Sequence, residues 1–251
     1  MALGRAKLAF TRGASVWVFD APAGFGDAGF HAHHAIQITI SLSGSLELIS
    51  GDVAIKGDVV AVAADARHRF VAHGVIAFIF VEPESRAGRA LGKLLFAQGP
   101  LAQIDAALIM PALAPLRATF DPGLSRADML AAGERALAAL VPAGPAPLPD
   151  ARVQKIIDHA TSHVDASLDA SAAAVGVHLS PSRLRHLFVE QTGLAFKTYM
   201  LWLRLVRALE VYSTGQSLTE AAHEAGFSDS AHFSRIFKRT FGLPATTLTR
   251  L

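Results

Sequence analysis

Cysteine is absent from this chain of 251 residues. Without thiols the chain forms no disulfide, no thiolate metal site and no cysteine nucleophile. Long apolar runs are also lacking: the longest, such as Gly74–Val81, stop far short of the roughly 20 residues that span a bilayer. The N-terminus lacks the charged start, apolar stretch and small-residue cleavage site of a secretory signal. These absences predict a cytoplasmic protein that has no membrane partner.

A large charge excess is lacking as well, since the formal net charge is +2. The charge is nevertheless unevenly placed along the chain. Residues 1–150 hold 12 Lys and Arg against 13 Asp and Glu, whereas residues 151–251 hold 11 against 8 and carry six histidines. A basic C-terminal part favours a nucleic-acid-binding face there.

The order of apolar patterns predicts an α+β fold with more than one domain. Over residues 1–84, short β-type runs alternate with Gly and Asp turns, which is typical of an antiparallel sandwich or small β-barrel. Residues 85–141 read as helices, the best of them Ser125–Leu140, and are our candidate for a dimer contact. Four prolines within residues 142–150 predict a linker. Residues 151–251 predict an all-α domain.

Two segments of the C-terminal part, Ala170–Gly193 and Ser217–Gly242, share one organisation. In each, a short helix of small residues is followed by a turn and an amphipathic helix. The apolar stripes of the two amphipathic helices are Leu184, Leu187 and Phe188, and Phe233, Phe237 and Phe241. Small residues in the leading helices let two helices cross closely, as a helix-turn-helix requires.

Between these segments, residues 196–215 predict one long helix closed by glycine. About 20 helical residues span roughly 30 Å. That length is close to the roughly 34 Å between successive major-groove faces on one side of B-DNA. Two reading helices held by such a spacer could enter adjacent grooves.

The segments LSPSRLRHLFVEQTG and AAHEAGFSDSAHFSRIFKRTFGLP resemble the AraC/XylS family of transcriptional regulators. The resemblance covers Leu168–Leu251. It implies two helix-turn-helix motifs joined by a long helix, with recognition helices that begin near Pro181 and Asp229. The partners it implies are double-stranded promoter DNA, a small-molecule effector, a second copy of the chain and RNA polymerase.

The resemblance also implies which side chains face DNA. Residues at base-reading positions are Ser182, Arg185 and His186 in the first motif, and Ser230, Ala231, Ser234 and Arg235 in the second. Arg185 and Arg235 are the candidates for bidentate contact to guanine, and Ala231 offers only a methyl group. Basic residues expected to face phosphates or solvent are Lys197, Arg204, Arg207, Lys238 and Arg239.

A histidine-rich stretch, HAHHAIQ, opens the β-rich part at His31. Its spacing resembles the first motif of cupins, small β-barrels that bring histidines into one cavity, except that Gln37 stands in place of the usual Glu. The second cupin motif is matched only in spacing, by Gly57 and His68. This resemblance implies a cupin-like sensor domain in which His31, His33, Gln37 and His68 line one pocket.

Three imidazoles, from His31, His33 and His68, could bind Zn²⁺ or a similar divalent ion. They could equally line a metal-free effector pocket. Because Gln37 supplies neither a charged ligand nor a general base, we favour a non-enzymatic sensor. The sequence thus predicts a sequence-specific DNA-binding transcriptional regulator with a cupin-like sensor for an effector or metal. The alternative is a metal-dependent cupin enzyme with a helical appendage.

Overall fold

A computed structural model describes residues 5–22, 24, 29–121, 124–141, 149–164 and 168–248. The chain divides into two compact units: Met1–Ala146 together with Phe237–Leu251, and Pro147–Ile236. The predicted linker at 142–150 falls almost wholly on residues 142–148, which lie outside the described residues.

The described residues of the first unit form an eight-stranded sheet in which every strand pair is antiparallel. Its strands are β1 (Ala6–Thr11), β2 (Ala14–Ala21), β3 (Ile36–Ser41), β4 (Ser45–Ser50), β5 (Val53–Lys56), β6 (Val59–Val62), β7 (Arg69–Val81) and β8 (Leu101–Gln103). The order is β1-β2-β7-β3-β6-β8, and β4 joins β5 to β7. The predicted antiparallel β architecture is confirmed. The described strands, however, form an open path that ends at β1 and β8, not a closed barrel.

Strand β7 links the two parts of this sheet because it is long enough to pair with different partners along its length. Residues 69–73 pair with β4, and residues 74–81 pair with β2. Gly74 lies at the changeover with φ +90°, and a β-carbon there would collide with the carbonyl of Ser43. Glycine satisfies both the backbone angle and the close approach.

The sheet has two faces with different chemistry, as the alternation of side chains in a strand requires. On β3, Ile36, Ile38 and Ile40 belong to the hydrophobic core that the helices of this unit cover. The intervening Gln37 and Thr39 are also buried, but they are polar. The opposite face of the sheet therefore encloses a polar site.

Helices of the first unit follow the main strands and cover the apolar face. They are α1 (Arg86–Leu95), α2 (Ala106–Leu113), a 3-10 turn (Ala114–Ala118) and α3 (Arg126–Leu140). The predicted helix at 125–140 is confirmed, with Ser125 and Asp128 forming a reciprocal capping box. Gly133 lets α3 approach Val16 of β2, where a β-carbon would collide with the valine side chain.

Six α-helices succeed one another in the described residues of the C-terminal part, 149–164 and 168–248. They are α4 (Ala151–Ser162), α5 (Ala170–Val175), α6 (Pro181–Thr192), α7 (Phe196–Ser213), α8 (Leu218–Glu224) and α9 (Ser230–Phe241). The first five and residues 230–236 of α9 belong to the second unit. The all-helical prediction for this part of the chain is confirmed.

The long helix α7 ends at Ser213, two residues before the predicted end at Gly215. Its 18 residues give a length of about 27 Å. Phe188 of α6 is fully buried and packs edge-on against Phe196 and Tyr199 of α7, with ring centroids 5.2 and 5.3 Å away. Among the described residues, no helix combines the length and apolar character needed to cross a bilayer.

Candidate DNA-binding surface and effector site

Helix α6 is placed by its capping residues and by its apolar stripe. The hydroxyl of Ser180 accepts a hydrogen bond from the Arg183 amide at 3.2 Å, and Pro181 occupies the first turn. The stripe of Leu184, Leu187 and Phe188 is buried. The predicted DNA-facing side chains lie on the opposite, exposed side: Ser182, Arg185 and His186.

The imidazole of His186 is oriented by the backbone of its own helix. Its Nδ1 lies 2.8 Å from the carbonyl oxygen of Ser182. Because a carbonyl can only accept, Nδ1 carries the proton, and Nε2 of the neutral ring is an acceptor. The exposed edge of His186 can therefore accept a hydrogen bond from a base amino group.

Helix α9 begins on the Asp229 cap, whose carboxylate accepts from the His232 amide at 2.6 Å. This hydrogen bond lowers the pKa of Asp229, and so does one from the Ser228 hydroxyl. Phe233 is buried, so the opposite face points outward. The predicted DNA-facing residues of this helix are exposed, except for the half-buried Ser230 and Ser234: Ser230, Ala231, Ser234, Arg235, Lys238 and Arg239.

Two other arginines expected at phosphates or in solvent instead bind protein groups. Arg207 of α7 pairs with Glu210 at 2.9 Å and with Glu224 of α8 at 2.7 Å. The guanidinium of Arg204 donates to the Val164 carbonyl at 3.2 Å. Both side chains are partly exposed and hold neighbouring segments of the second unit together.

In the first unit, the structure brings His31, His33 and His68 together, as predicted. All three are buried, and one ring nitrogen from each lies within 4.8 Å of the other two. His31 and Gln37 do not share one regular strand, because β3 begins only at Ile36. Convergence depends instead on an isolated bridge in which the backbones of His31 and His68 exchange hydrogen bonds of 2.9 and 2.8 Å.

Burial keeps this histidine cluster neutral. Desolvation, together with the like charge of a protonated His31, lowers the pKa of His33 to about 4. Desolvation also lowers the pKa values of His31 and His68. At neutral pH the three rings therefore present lone pairs and not positive charges.

Gln37 lies beside the cluster, with its amide oriented along the polar face of β3. Its Nε2 donates to the Thr39 hydroxyl at 2.8 Å, and its Oε1 lies 3.0 Å from Nε2 of His33. The predicted grouping of Gln37 with the three histidines is observed. The amide oxygen faces the imidazole of His33.

The remaining histidine of the stretch, His34, forms a buried ion pair. Its Nε2 lies 3.0 Å from Glu84 Oε2 and its Nδ1 lies 3.4 Å from Asp65 Oδ2. Burial lowers the pKa of His34, but the hydrogen bonds and charges of these two carboxylates outweigh it and raise the pKa to about 9. The pair ties the histidine stretch to the residue that precedes the Ser85 cap of α1.

An aromatic cavity lies beside the histidine cluster within the first unit. It shares His31 and Gln37 with the cluster. Its apolar lining comprises Trp17, Phe19, Phe70, Phe78, Phe80, Phe237, Phe241, Leu243 and Leu248. The indole Nε1 of Trp17 is buried and has no hydrogen-bond partner among the described residues. The mostly aromatic lining of the cavity favours an apolar ligand.

Sequence reasoning missed part of this site. The alternation of Phe78 and Phe80 along β7 is a signal that could have revealed the aromatic lining. The pairing of His34 with Glu84 has no local signal, because 50 residues separate them.

Comparison with known proteins supports the helix-turn-helix assignment. Residues 172–250 match a family described as "Helix-turn-helix domain". The arabinose operon regulatory protein of Escherichia coli K12 is 34% identical over 95 residues, covering 37% of this chain and 32% of that protein. The transcriptional activator RhaS of Escherichia fergusonii is 35% identical over 94 residues, covering 37% and 34%. This chain thus matches about a third of the length of these relatives.

The fold of the whole chain is similar to that of ToxT from Vibrio cholerae O395. That structure superposes with a TM-score of 0.56 at 13% identity, covering 98% of both chains. A second ToxT structure, bound to (E)-4-(8-methylnaphthalen-1-yl)but-3-enoic acid, has a TM-score of 0.58 at 14% identity and covers 98% of this chain and 100% of that one. At this identity the likeness establishes the fold alone.

Proposed function

We propose that this chain, an AraC-family regulator by its helix-turn-helix domain, binds specific promoter sequences in response to a small-molecule effector. The observation that carries the proposal is the pair of capped helices, α6 and α9, each with a buried apolar stripe and an outward face of Arg, Ser and His or Ala. Such a face suits the major groove, where base edges offer hydrogen-bonding patterns specific to each pair.

Different side chains on these two faces supply sequence specificity and general affinity for DNA. Arg185 and Arg235 are exposed and can bind the two acceptors of guanine through their guanidinium groups. Lys238 and Arg239 supply contacts to phosphates, which add affinity without sequence information. Ala231 provides a methyl group for contact with thymine.

The effector in this proposal is a mainly apolar small molecule. Its apolar body packs among the aromatic side chains of the cavity, whose polar lining residues include His31 and Gln37. The acid bound in the ToxT structure belongs to this chemical class. Binding changes DNA affinity to the extent that the effector favours one of two conformations.

The alternative of a cupin enzyme draws on the same histidine cluster. Gln37 is not titratable, so this position offers no general base. We therefore assign the cluster to ligand binding and not to catalysis.

A second copy of the chain and RNA polymerase complete the proposed set of partners. Leu94 of α1 and Leu108 of α2 are 53% and 55% exposed, which suits a dimer contact in this region.

Selection of bound fragments from the source genome tests the proposal directly. Purified protein should enrich a small set of fragments that share one sequence, and their binding should weaken steeply as salt rises. An enrichment without any common sequence would contradict sequence-specific recognition. An enzyme with a helical appendage would enrich nothing.

Replacing Arg235 with alanine should reduce discrimination between the selected sequence and its best single-base variant by about 1 to 3 kcal/mol, because a bidentate contact to guanine is lost. Fluorescence anisotropy with both duplexes measures this difference. Lys155→Ala, which removes an exposed cation from α4, is the matched control and should leave discrimination unchanged. If Arg235→Ala preserved it, α9 would not be the second reading helix.

A further inference from the structure

The hydrogen bonds of the histidine cluster select one tautomer for all three rings. Nδ1 of His31 lies 2.8 Å from the Gly29 carbonyl, Nδ1 of His33 lies 2.9 Å from that of Ala35, and Nδ1 of His68 lies 2.9 Å from that of Ala66. Because a carbonyl oxygen cannot donate, each Nδ1 must carry the proton. In the neutral rings, the lone pair is therefore on Nε2.

This arrangement is common among histidines that bind metal ions in proteins. A ligating imidazole commonly donates its second N–H to a carbonyl, which fixes the ring and makes the other nitrogen more basic. Here three rings do so at once. The Nε2 of His68 is completely buried and has no hydrogen-bond partner among the described residues. Burying an unsatisfied polar atom is costly, and an ion between the rings would satisfy it.

Gln37 provides a second, independent indication. Its Nε2 donates to Thr39, which turns Oε1 towards His33 Nε2 at 3.0 Å. In the tautomer that the Ala35 carbonyl imposes, these two atoms are both acceptors and repel each other. Two acceptors about 3 Å apart are, however, the usual neighbours in the coordination sphere of an ion whose bonds are about 2.1 Å long.

We propose that His31, His33 and His68, together with Oε1 of Gln37, bind one divalent transition-metal ion. Imidazole ligands suit Zn²⁺, Co²⁺, Ni²⁺ and Fe²⁺, whereas the absence of carboxylates disfavours Ca²⁺ and Mg²⁺. A tetrahedral site requires ligand atoms about 3.4 Å apart. The three ring nitrogens lie within 4.8 Å of one another, so small side-chain rotations close the site.

The competing arrangement is a metal-free hydrogen bond. If the Gln37 amide were reversed, its Nε2 would donate to His33 and its Oε1 would accept from the Thr39 hydroxyl. In that arrangement Nε2 of His33 accepts a hydrogen bond, but Nε2 of His68 still has no hydrogen-bond partner among the described residues. The two arrangements differ in whether the protein takes up an ion, and this difference is measurable.

Titration of Co²⁺ into untagged, EDTA-treated full-length protein distinguishes them. The visible absorption of Co²⁺ in a nitrogen and oxygen site reports its coordination, and mass spectrometry of the metal content reports the stoichiometry. We expect one Co²⁺ per chain. His68→Ala should weaken binding by at least about 100-fold, because a direct ligand is lost, whereas outer-shell changes cost 10- to 100-fold.

Variants at Gln37 keep the proposal testable if His68→Ala fails to fold. Gln37→Glu should tighten Co²⁺ binding at least about tenfold, because a carboxylate adds a charged ligand. Gln37→Leu should weaken it by a similar factor. His73→Ala removes an exposed histidine of the same unit and should bind Co²⁺ as the wild type does.

Three results would overturn the proposal. Wild-type protein that takes up no stoichiometric Co²⁺ would favour the reversed amide. Equal affinity in His68→Ala and His73→Ala would place the ion elsewhere. Unchanged affinity in Gln37→Glu and Gln37→Leu would exclude Gln37 as a ligand. Each result is independent of DNA binding, so failure of this site leaves the regulatory proposal standing.

Discussion

Replacing Glu84 with alanine should lower the free energy of unfolding of the first unit by about 3 to 5 kcal/mol, because it leaves a buried charge without its partner. The side chains of His34 and Glu84 are only 2% and 4% exposed, and they lie 3.0 Å apart. Asp65 is half exposed and 3.4 Å from His34, so it compensates little. Urea denaturation followed by Trp17 fluorescence in a Trp202→Phe background measures the loss.

Glu47→Ala is the matched control for this prediction. Glu47 faces Lys56 at 4.0 Å in an exposed pair, and such pairs contribute at most about 1 kcal/mol. The pKa of His34 is raised to about 9, above its ordinary value near 6.5. The stabilisation that the His34–Glu84 pair contributes is therefore complete below about pH 6.5, and it is lost as pH rises through about 9. Equal losses in the two variants would show that the buried pair has no special role.

Replacing Phe188 with alanine should destabilise the second unit by about 3 to 5 kcal/mol, through lost burial and the cavity that remains. Phe188 is fully buried, and its ring packs edge-on against Phe196 and Tyr199. These contacts fix α6 on α7, so DNA affinity should fall with the folded fraction. Urea denaturation followed by Trp202 fluorescence in a Trp17→Phe background measures the change.

The neighbouring Val189 supplies the control on the same helix. Its side chain is 44% exposed, so Val189→Ala should change stability by no more than about 0.5 kcal/mol. A small effect of Phe188→Ala would mean that α6 is held by contacts other than this aromatic cluster. Equal effects of both variants would contradict the assignment of the buried and exposed faces.

The helical part was largely predictable because its signals are local. Ser180, Asp229 and Pro181 mark helix starts, and the stripes of α6 and α9 show which face is buried. Caps and periodicity act within one or two turns, so they can be read from a short stretch of sequence. The ion pair between Arg207 and Glu224 was not predictable, because Glu224 belongs to the next helix.

The β-rich part was predictable in type but not in pairing. Alternation identified the strands. It could not show that one part of β7 pairs with β4 and that the rest pairs with β2 on one edge and β3 on the other. The convergence of His31 and His68 was implied by the resemblance to cupins. Its physical cause, an isolated backbone bridge outside any regular strand, was not. Such contacts depend on chain packing over long separations, which no local pattern encodes.

The central claim is sequence-specific DNA binding, and the preference of the purified chain for its selected duplex over a shuffled duplex of equal length and composition tests it most directly. Competition anisotropy at physiological salt gives this ratio in one experiment. The account predicts a preference of about 10³-fold or more, with affinity for both duplexes falling as salt rises. Equal affinity for the two duplexes, or no binding to either, would contradict it.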